Sequence, residues 1–470
     1  MSCTRKTPLL ADQEAIHPNR CEKIDKGAMI MAWKVFVPGA MFCVCLFGAL
    51  PAALEARDAL MSPEPAKPAQ FDPVAATESY LAGIPAEKRA QSDAYFEGGY
   101  WLQLWDFVIG AGLAYLLLAG RWSAGMRDLA ERMTRRKPLQ TLIYWIQFLI
   151  VMTLASFPMT VYEGYFRERK YGLTTQAFGS WLSDQCKSLT VGLILGGVLV
   201  MMLYGVVRKL PRSWWMWGSA VTIVFMVFVL LISPIFIEPL FNKYTPLTDP
   251  SIREPILRLA RANGIEAGDV LMFDASRQTT RVSANVAGFL GTERIALNDN
   301  LLRRCTLPEI EAVMAHEMGH YVLHHIYKTL NFLLIITVAG FAFLRWSFDF
   351  SLRKWGQSWG VRGIGDVAGL PLVVLLFSIF FSFMTPVANT FIRTIEAEAD
   401  LFGLNAARQP DGQAAAALKL AEYRKMSPGP IEEFIFYDHP SGRNRILMAM
   451  KWKAENLNEL PPPTPATPAR

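Results

Sequence analysis

The sequence predicts a mainly α-helical, polytopic membrane protein that carries a zinc-peptidase-type polar domain with a small β-hairpin or sheet. Three observations predict it. The 470-residue chain is 52% hydrophobic with positive mean hydropathy, too apolar for a soluble enzyme of this length. It contains seven apolar stretches, at 35–54, 101–120, 139–161, 189–207, 214–237, 330–346 and 367–392, most of them near the ~20 residues a helix needs to cross hydrocarbon. And on either side of the last two stretches lie polar regions, the first of which holds His316-Glu317-Met318-Gly319-His320.

Taken in order, residues 1–28 are polar and mixed in charge, too long for the basic start of a leader peptide, so the first stretch is expected to be an anchor. Membrane helices 1–5 with their loops occupy 29–237, including a long acidic, Ala- and Pro-rich loop at 55–100. The polar domain is expected in two parts, 238–329 and 393–456, separated by membrane helices 6 and 7 at 330–392. A Pro-, Ala- and Thr-rich tail, 457–470, ends the chain and is expected to be disordered. Six cysteines without C-x-x-C spacing form no disulfide or metal framework. A net charge of +6 is accounted for by basic flanks of membrane helices and does not point to nucleic acid.

Within the first part of the polar domain, Asp249-Pro250 starts an amphipathic helix with Ile252, Ile256, Leu259 and Ala260 on one side, stopped by Asn263-Gly264. A short strand at 270–273 follows, then a hairpin with arms 281–290 and 293–297 turning at Gly291-Thr292. An exposed hairpin edge can accept a peptide as an added strand, and Ser283, Ala284 and Asn285 are small or polar enough to lie beside one.

The histidine motif carries the chemistry. Spacing of i and i+4 sets His316 and His320 on one helical face at the separation a tetrahedral zinc accepts, with Glu317 as general base for water attacking a carbonyl. Thr306 as N-cap, Pro308 in the first turn and Glu309 as capping-box partner place the motif inside a helix. Four of the six histidines, His316, His320, His324 and His325, fall within ten residues. If this helix runs straight into the sixth stretch, metal and bilayer surface are neighbours. A third ligand from a downstream histidine is excluded, because Leu323 and Ile326 stand where that pattern needs glycine and histidine. The remaining source is Glu396-Ala397-Glu398-Ala399-Asp400 after the seventh stretch, where Glu396 and Asp400 share a helical face and Glu398 points elsewhere.

Together these motifs, with Ile237-Glu238-Pro239-Leu240-Phe241-Asn242-Lys243-Tyr244-Thr245-Pro246-Leu247, Ala284-Asn285 and Asp438-His439-Pro440 followed by Arg445-Ile446, resemble the type 1 CAAX prenyl endopeptidases over about 139–452. The resemblance implies a seven-helix membrane barrel around a chamber, capped by a gluzincin-type zinc domain. It implies His316, His320 and Glu396 as zinc ligands, Glu317 as base, Asp400 as partner of a ligating histidine, His439 and Arg445 near the scissile carbonyl, and Asn285 on the substrate backbone. It departs at Ala397 and Glu398, where members often carry an aromatic residue and Gln, and at Ser283, where many carry Asn.

The expected activity is therefore hydrolysis of the peptide bond after a prenylated Cys, releasing the last three residues. The expected partners are a peptide or protein substrate, possibly prenylated, and the lipid bilayer of a bacterial inner membrane or of the endoplasmic reticulum. The alternatives are a broad-specificity quality-control peptidase with the same site, and a non-enzymatic zinc-binding membrane scaffold. Arg121, Arg127, Arg132, Arg135, Arg136 and Lys137 place their loop in the cytoplasm by the positive-inside rule, and with seven spans the zinc domain opposite. The resemblance implies a cytoplasmic zinc domain, the orientation expected here.

Overall fold

The computed structural model describes residues 71–287 and 294–460. The expected first span at 35–54, the hairpin turn and the tail beyond 460 lie outside the described residues. Among the described residues, six helices are long and apolar enough to cross a membrane. In chain order the main elements are α1 (Pro73–Ala82), α2 (Ala86–Ala119), α3 (Trp122–Met133), α4 (Lys137–Lys170), α5 (Phe178–Lys209), α6 (Trp214–Leu240), β1 (Tyr244–Pro246), α7 (Pro250–Ala262), β2 (Val270–Phe273), β3 (Ala284–Ala287), β4 (Arg294–Asn298), α8 (Asp299–Arg304), α9 (Leu307–Val322), α10 (His325–Trp359), α11 (Val367–Ala407), α12 (Pro410–Leu420), α13 (Pro430–Phe436) and α14 (Gly442–Glu455).

The six long helices pack in the cyclic order α2, α4, α5, α6, α10, α11 and back to α2. In α4 only 11% of the apolar window is buried, and in α6 only 17%. Helices of a solid bundle bury their inward faces; these touch neighbours along narrow edges, as in a hollow ring with lipid outside. Glycine makes the close edges possible. A Cβ on Gly196 would meet the Trp145 ring at 2.4 Å, and one on Gly218 the Phe341 ring at 2.7 Å.

Away from the polar domain the ring is closed by α3 and the turn between α10 and α11. Buried Arg127 donates to Asp366 Oδ2 at 2.6 Å and to the Gly360 carbonyl at 2.8 Å. Ser123 donates to the Ala368 carbonyl at 2.7 Å, and Arg208 to the Gly365 carbonyl at 3.1 Å. The basic residues of this loop are thus partly committed to structure.

The polar domain sits on the other end. Its sheet has the order β1-β2-β4-β3, with β2 and β4 parallel and both outer pairs antiparallel. The expected hairpin is present as β3 and β4, and β3 is one of the sheet's two edge strands, β1 being the other. The strand β1, three residues long, is an addition the alternation pattern is too short to reveal. Behind the sheet, α7 buries Ile256, Leu257 and Ala260 against Ile295, Leu297 and the apolar face of α9. Asp249 caps α7 by accepting from Ser251 N, and Gly264 takes the left-handed φ of 73° that ends it.

Two expectations are corrected. The described part of the expected 55–100 loop, 71–100, is mostly helical: α1 packs Leu81 against Leu404, Ala417 and Ile446 of the polar domain, and α2 starts fifteen residues before the apolar stretch it carries. The motif helix does not run into the sixth span. It ends at Val322, and His324 takes a left-handed φ of 55° before α10 begins. The seventh span, by contrast, continues through residue 392 to Ala407 as one helix, carrying its carboxylates into the polar domain.

Replacing Asp366 with Ala leaves buried Arg127 with the half-exposed Asp128 as its remaining carboxylate, 2.8 Å away. The expected cost is about 1–3 kcal/mol of stability, read as a lowered thermal midpoint of the detergent-purified chain.

Candidate metal centre

The site is assembled where α9 crosses α11. Thr306 N and Oγ1 both donate to Glu309, closing the first turn of α9, and Lys419 of α12 holds the same carboxylate at 2.7 Å. The crossing is close because it is made on glycines. A Cβ on Gly403 would lie 3.0 Å from the backbone nitrogen of His316, and one on Gly319 3.3 Å from Ala399 Cα.

At that separation Glu396 reaches both histidines. Its Oε2 is 3.1 Å from His316 Nε2, and its Oε1 is 3.4 Å from His320 Nε2. The two Nε2 atoms are 3.2 Å apart, and one ligating atom from each of the three buried residues lies within 4.8 Å of the others. His316 Nδ1 faces Asp400 at 2.8 Å; a carboxylate only accepts, so Nδ1 carries the proton and Nε2 a lone pair. Lone pairs on two imidazoles and a carboxylate, converging out of water, repel one another unless a cation sits among them. Two nitrogens and an oxygen at these separations form a donor set suited to zinc, with one position left open.

Asp400 is fully buried and is held in turn by Arg445, whose Nε donates at 2.8 Å. Burial pulls the Arg445 guanidinium down, but Asp400 beside it holds it above its ordinary value. The residue expected near a scissile carbonyl thus spends two nitrogens on the carboxylate behind His316 while still bordering the cleft. His439 reaches the same centre from the loop before α14: Nε2 lies 3.3 Å from Glu396 Oε2, and Nδ1 lies 2.8 Å from Asp438. Burial raises the Asp438 carboxyl, yet His439 and Arg424 outweigh it and hold the group below the usual carboxylate range.

A cleft of about 190 Å³ opens on this cluster, bordered by Glu317, Ser283, Ala284, His439 and Arg445 together with both motif histidines. Asn285, expected at the substrate, is paired with Ala296 in the sheet and does not border it. Residues the motif reading passed over do border it, among them Tyr423, Arg424 and Gln413, whose buried carboxamide has no hydrogen-bond partner among the described residues. No spacing rule singles them out.

The comparisons with known proteins identify the family. The description "CAAX prenyl protease N-terminal, five membrane helices" matches residues 74–243, and "Peptidase family M48" matches residues 246–453. The chain belongs to peptidase family M48. It is a multi-pass membrane metallopeptidase acting on peptide or protein substrates. The M48 chain is 29% identical over 341 residues to the uncharacterized metalloprotease YhfN of Bacillus subtilis (strain 168), covering 72% of this chain and 80% of that one. It is 27% identical over 313 residues to CAAX prenyl protease 1 of Saccharomyces cerevisiae, covering 63% and 68%, and 28% identical over 370 residues to the CAAX prenyl protease 1 homolog of Arabidopsis thaliana, covering 76% and 86%. The crystal structure of S. mikatae Ste24p has the same fold, with a TM-score of 0.66, 22% identity, and coverage of 80% of this chain and 94% of that one.

Substituting Ala for Gly403 pushes a methyl group onto the backbone of His316, which cannot rotate away. The expected loss is about 1–3 kcal/mol of stability together with weaker metal retention, measured by thermal unfolding and by metal content after dialysis.

Proposed function

We propose that this M48 peptidase is a zinc endopeptidase that cleaves the peptide bond after a prenylated Cys and releases the C-terminal tripeptide. The observation that carries the zinc reading is the convergence of His316, His320 and Glu396 beside Glu317, at a cleft bordered by the β3 edge. The prenyl reading rests on the relatives named CAAX prenyl protease 1 and on the ring of membrane helices under the site, a place for a lipid chain.

In this reading His316, His320 and Glu396 hold zinc, and residues 238–329 and 393–456 form one peptidase domain. Zinc bound there supplies Lewis acidity, making a water acidic and a carbonyl electrophilic. Glu317 takes the proton from the attacking water and passes it to the leaving amine. His439, with Nδ1 held by Asp438, donates from Nε2 to the carbonyl oxygen as it gains charge when the ring carries protons on both nitrogens. Asp400 fixes the tautomer of His316, and Arg445 keeps that carboxylate ionised and in place beside the carbonyl site. The peptide lies along β3 as an added strand, against Ser283 and Ala284, with Asn285 supporting the edge.

Mass spectrometry of a farnesylated CAAX peptide and its unprenylated twin tests the proposal. The wild type is expected to remove three residues from the farnesylated peptide alone, and Glu317→Gln to lose about 10²- to 10⁴-fold in rate while retaining zinc. Equal cleavage of both peptides would make it a quality-control peptidase of broad tolerance. Full activity of Glu317→Gln would remove the base assignment.

A further inference from the structure

His320 has a partner that the motif does not announce. Its Nδ1 lies 2.8 Å from Nδ1 of His325, and His325 Nε2 lies 3.0 Å from Oε2 of Glu398. His325 is 2% exposed, so its ring nitrogens must be satisfied within the protein. Glu398, 42% exposed at its side chain, is also paired with Lys328.

The backbone is bent to make this contact. Five residues along an unbroken helix turn through about 500°, which would put His325 some 140° away from His320. The left-handed residue His324, φ 55° and ψ 38°, breaks the helix between them and brings the imidazole back. A left-handed conformation is uncommon for a residue with a side chain, and such outliers gather where a functional geometry requires them. On α11, Glu396 and Glu398 are two residues apart and so stand on opposite sides of the helix. Both serve His320, the first at Nε2 and the second through His325.

We infer that His325 and Glu398 are positioning residues that fix the orientation and tautomer of His320 for the metal. This inference rests on the zinc reading above. The proton order follows from the acceptor at the end. Glu398 can only accept, so His325 Nε2 donates; the neutral ring of His325 then accepts at Nδ1, so His320 Nδ1 donates; and His320 Nε2 is left with its lone pair toward Glu396 and His316. His316 obtains the same result directly from Asp400, and His320 obtains it through an intervening imidazole. The relay explains why a carboxylate that cannot reach the metal stands at 398, and why the chain breaks at His324.

Zinc affinity of the detergent-purified full chain, measured by competition with a chromophoric chelator, tests it without reference to turnover. Glu398→Ala and His325→Ala are each expected to weaken zinc binding about 10- to 100-fold. Glu398→Gln, whose carbonyl oxygen accepts the same proton, is expected to stay near wild type, and the His325→Ala, Glu398→Ala double variant to bind no worse than His325→Ala alone. The thermal midpoint of each variant, measured without zinc and read beside its affinity, separates a loss of zinc from a loss of fold. Wild-type affinity in Glu398→Ala and His325→Ala, or losses that add in the double variant, would overturn the relay while leaving the zinc reading intact. A wild-type chain that holds no zinc would overturn both.

Discussion

Everything in the site depends on one close helix crossing. Two helices from separate parts of the chain must approach until a glutamate on α11 meets two histidines on α9, and only glycine at 319 and 403 leaves room for the backbones to do so. Four polar side chains then sit in a space from which water is excluded. Such a cluster is stable only if every charge has a counterpart, and the rest of the domain is arranged around that demand: Arg445 for Asp400, Asp438 for His439, and His325 with Glu398 for His320.

The same logic explains how the membrane ring and the domain stay in register. The α11 helix is both a wall of the ring and the bearer of Glu396, Glu398 and Asp400, so the site cannot move relative to this wall without breaking a helix. Other walls are tied to the domain by polar contacts at their ends. Arg281, just before β3, pairs with Glu168 of α4 at 2.7 Å, Ser92 of α2 donates to the Arg424 carbonyl at 2.9 Å, and Lys425 pairs with Glu97 at 2.7 Å. A peptide lying on β3 would therefore sit over the ring, with its scissile bond above the membrane and any lipid chain able to point down.

What the sequence made legible was whatever is written in local chemistry. The H-E-x-x-H spacing, the capping box at Thr306 and Glu309, the Asp249 cap and the edge hairpin each need only a few neighbouring residues, and each stands where the pattern put it. Helix ends were less legible, because a polar residue inside a long helix looks like an end: α10 and α11 run well past their apolar stretches. Least legible were pairings between distant segments. Nothing within five residues of Arg445 says that it belongs to Asp400, and α1 reads as a linker until its Leu81 is seen against Ile446.

The region around His325 shows why such pairings escape a motif. Four histidines in ten residues invite a reading by helical period, and that period assigns His325 to a different face from His320. The period fails at a single residue, His324, and the failure is what creates the contact. Likewise, the two glutamates at 396 and 398 are correctly separated by helical geometry into one that meets the histidine pair and one that does not, yet the second is not idle. Its position opposite the first lets one helix approach a single imidazole from both sides, so the spacing that removes Glu398 from the metal is also what fits it to hold His325.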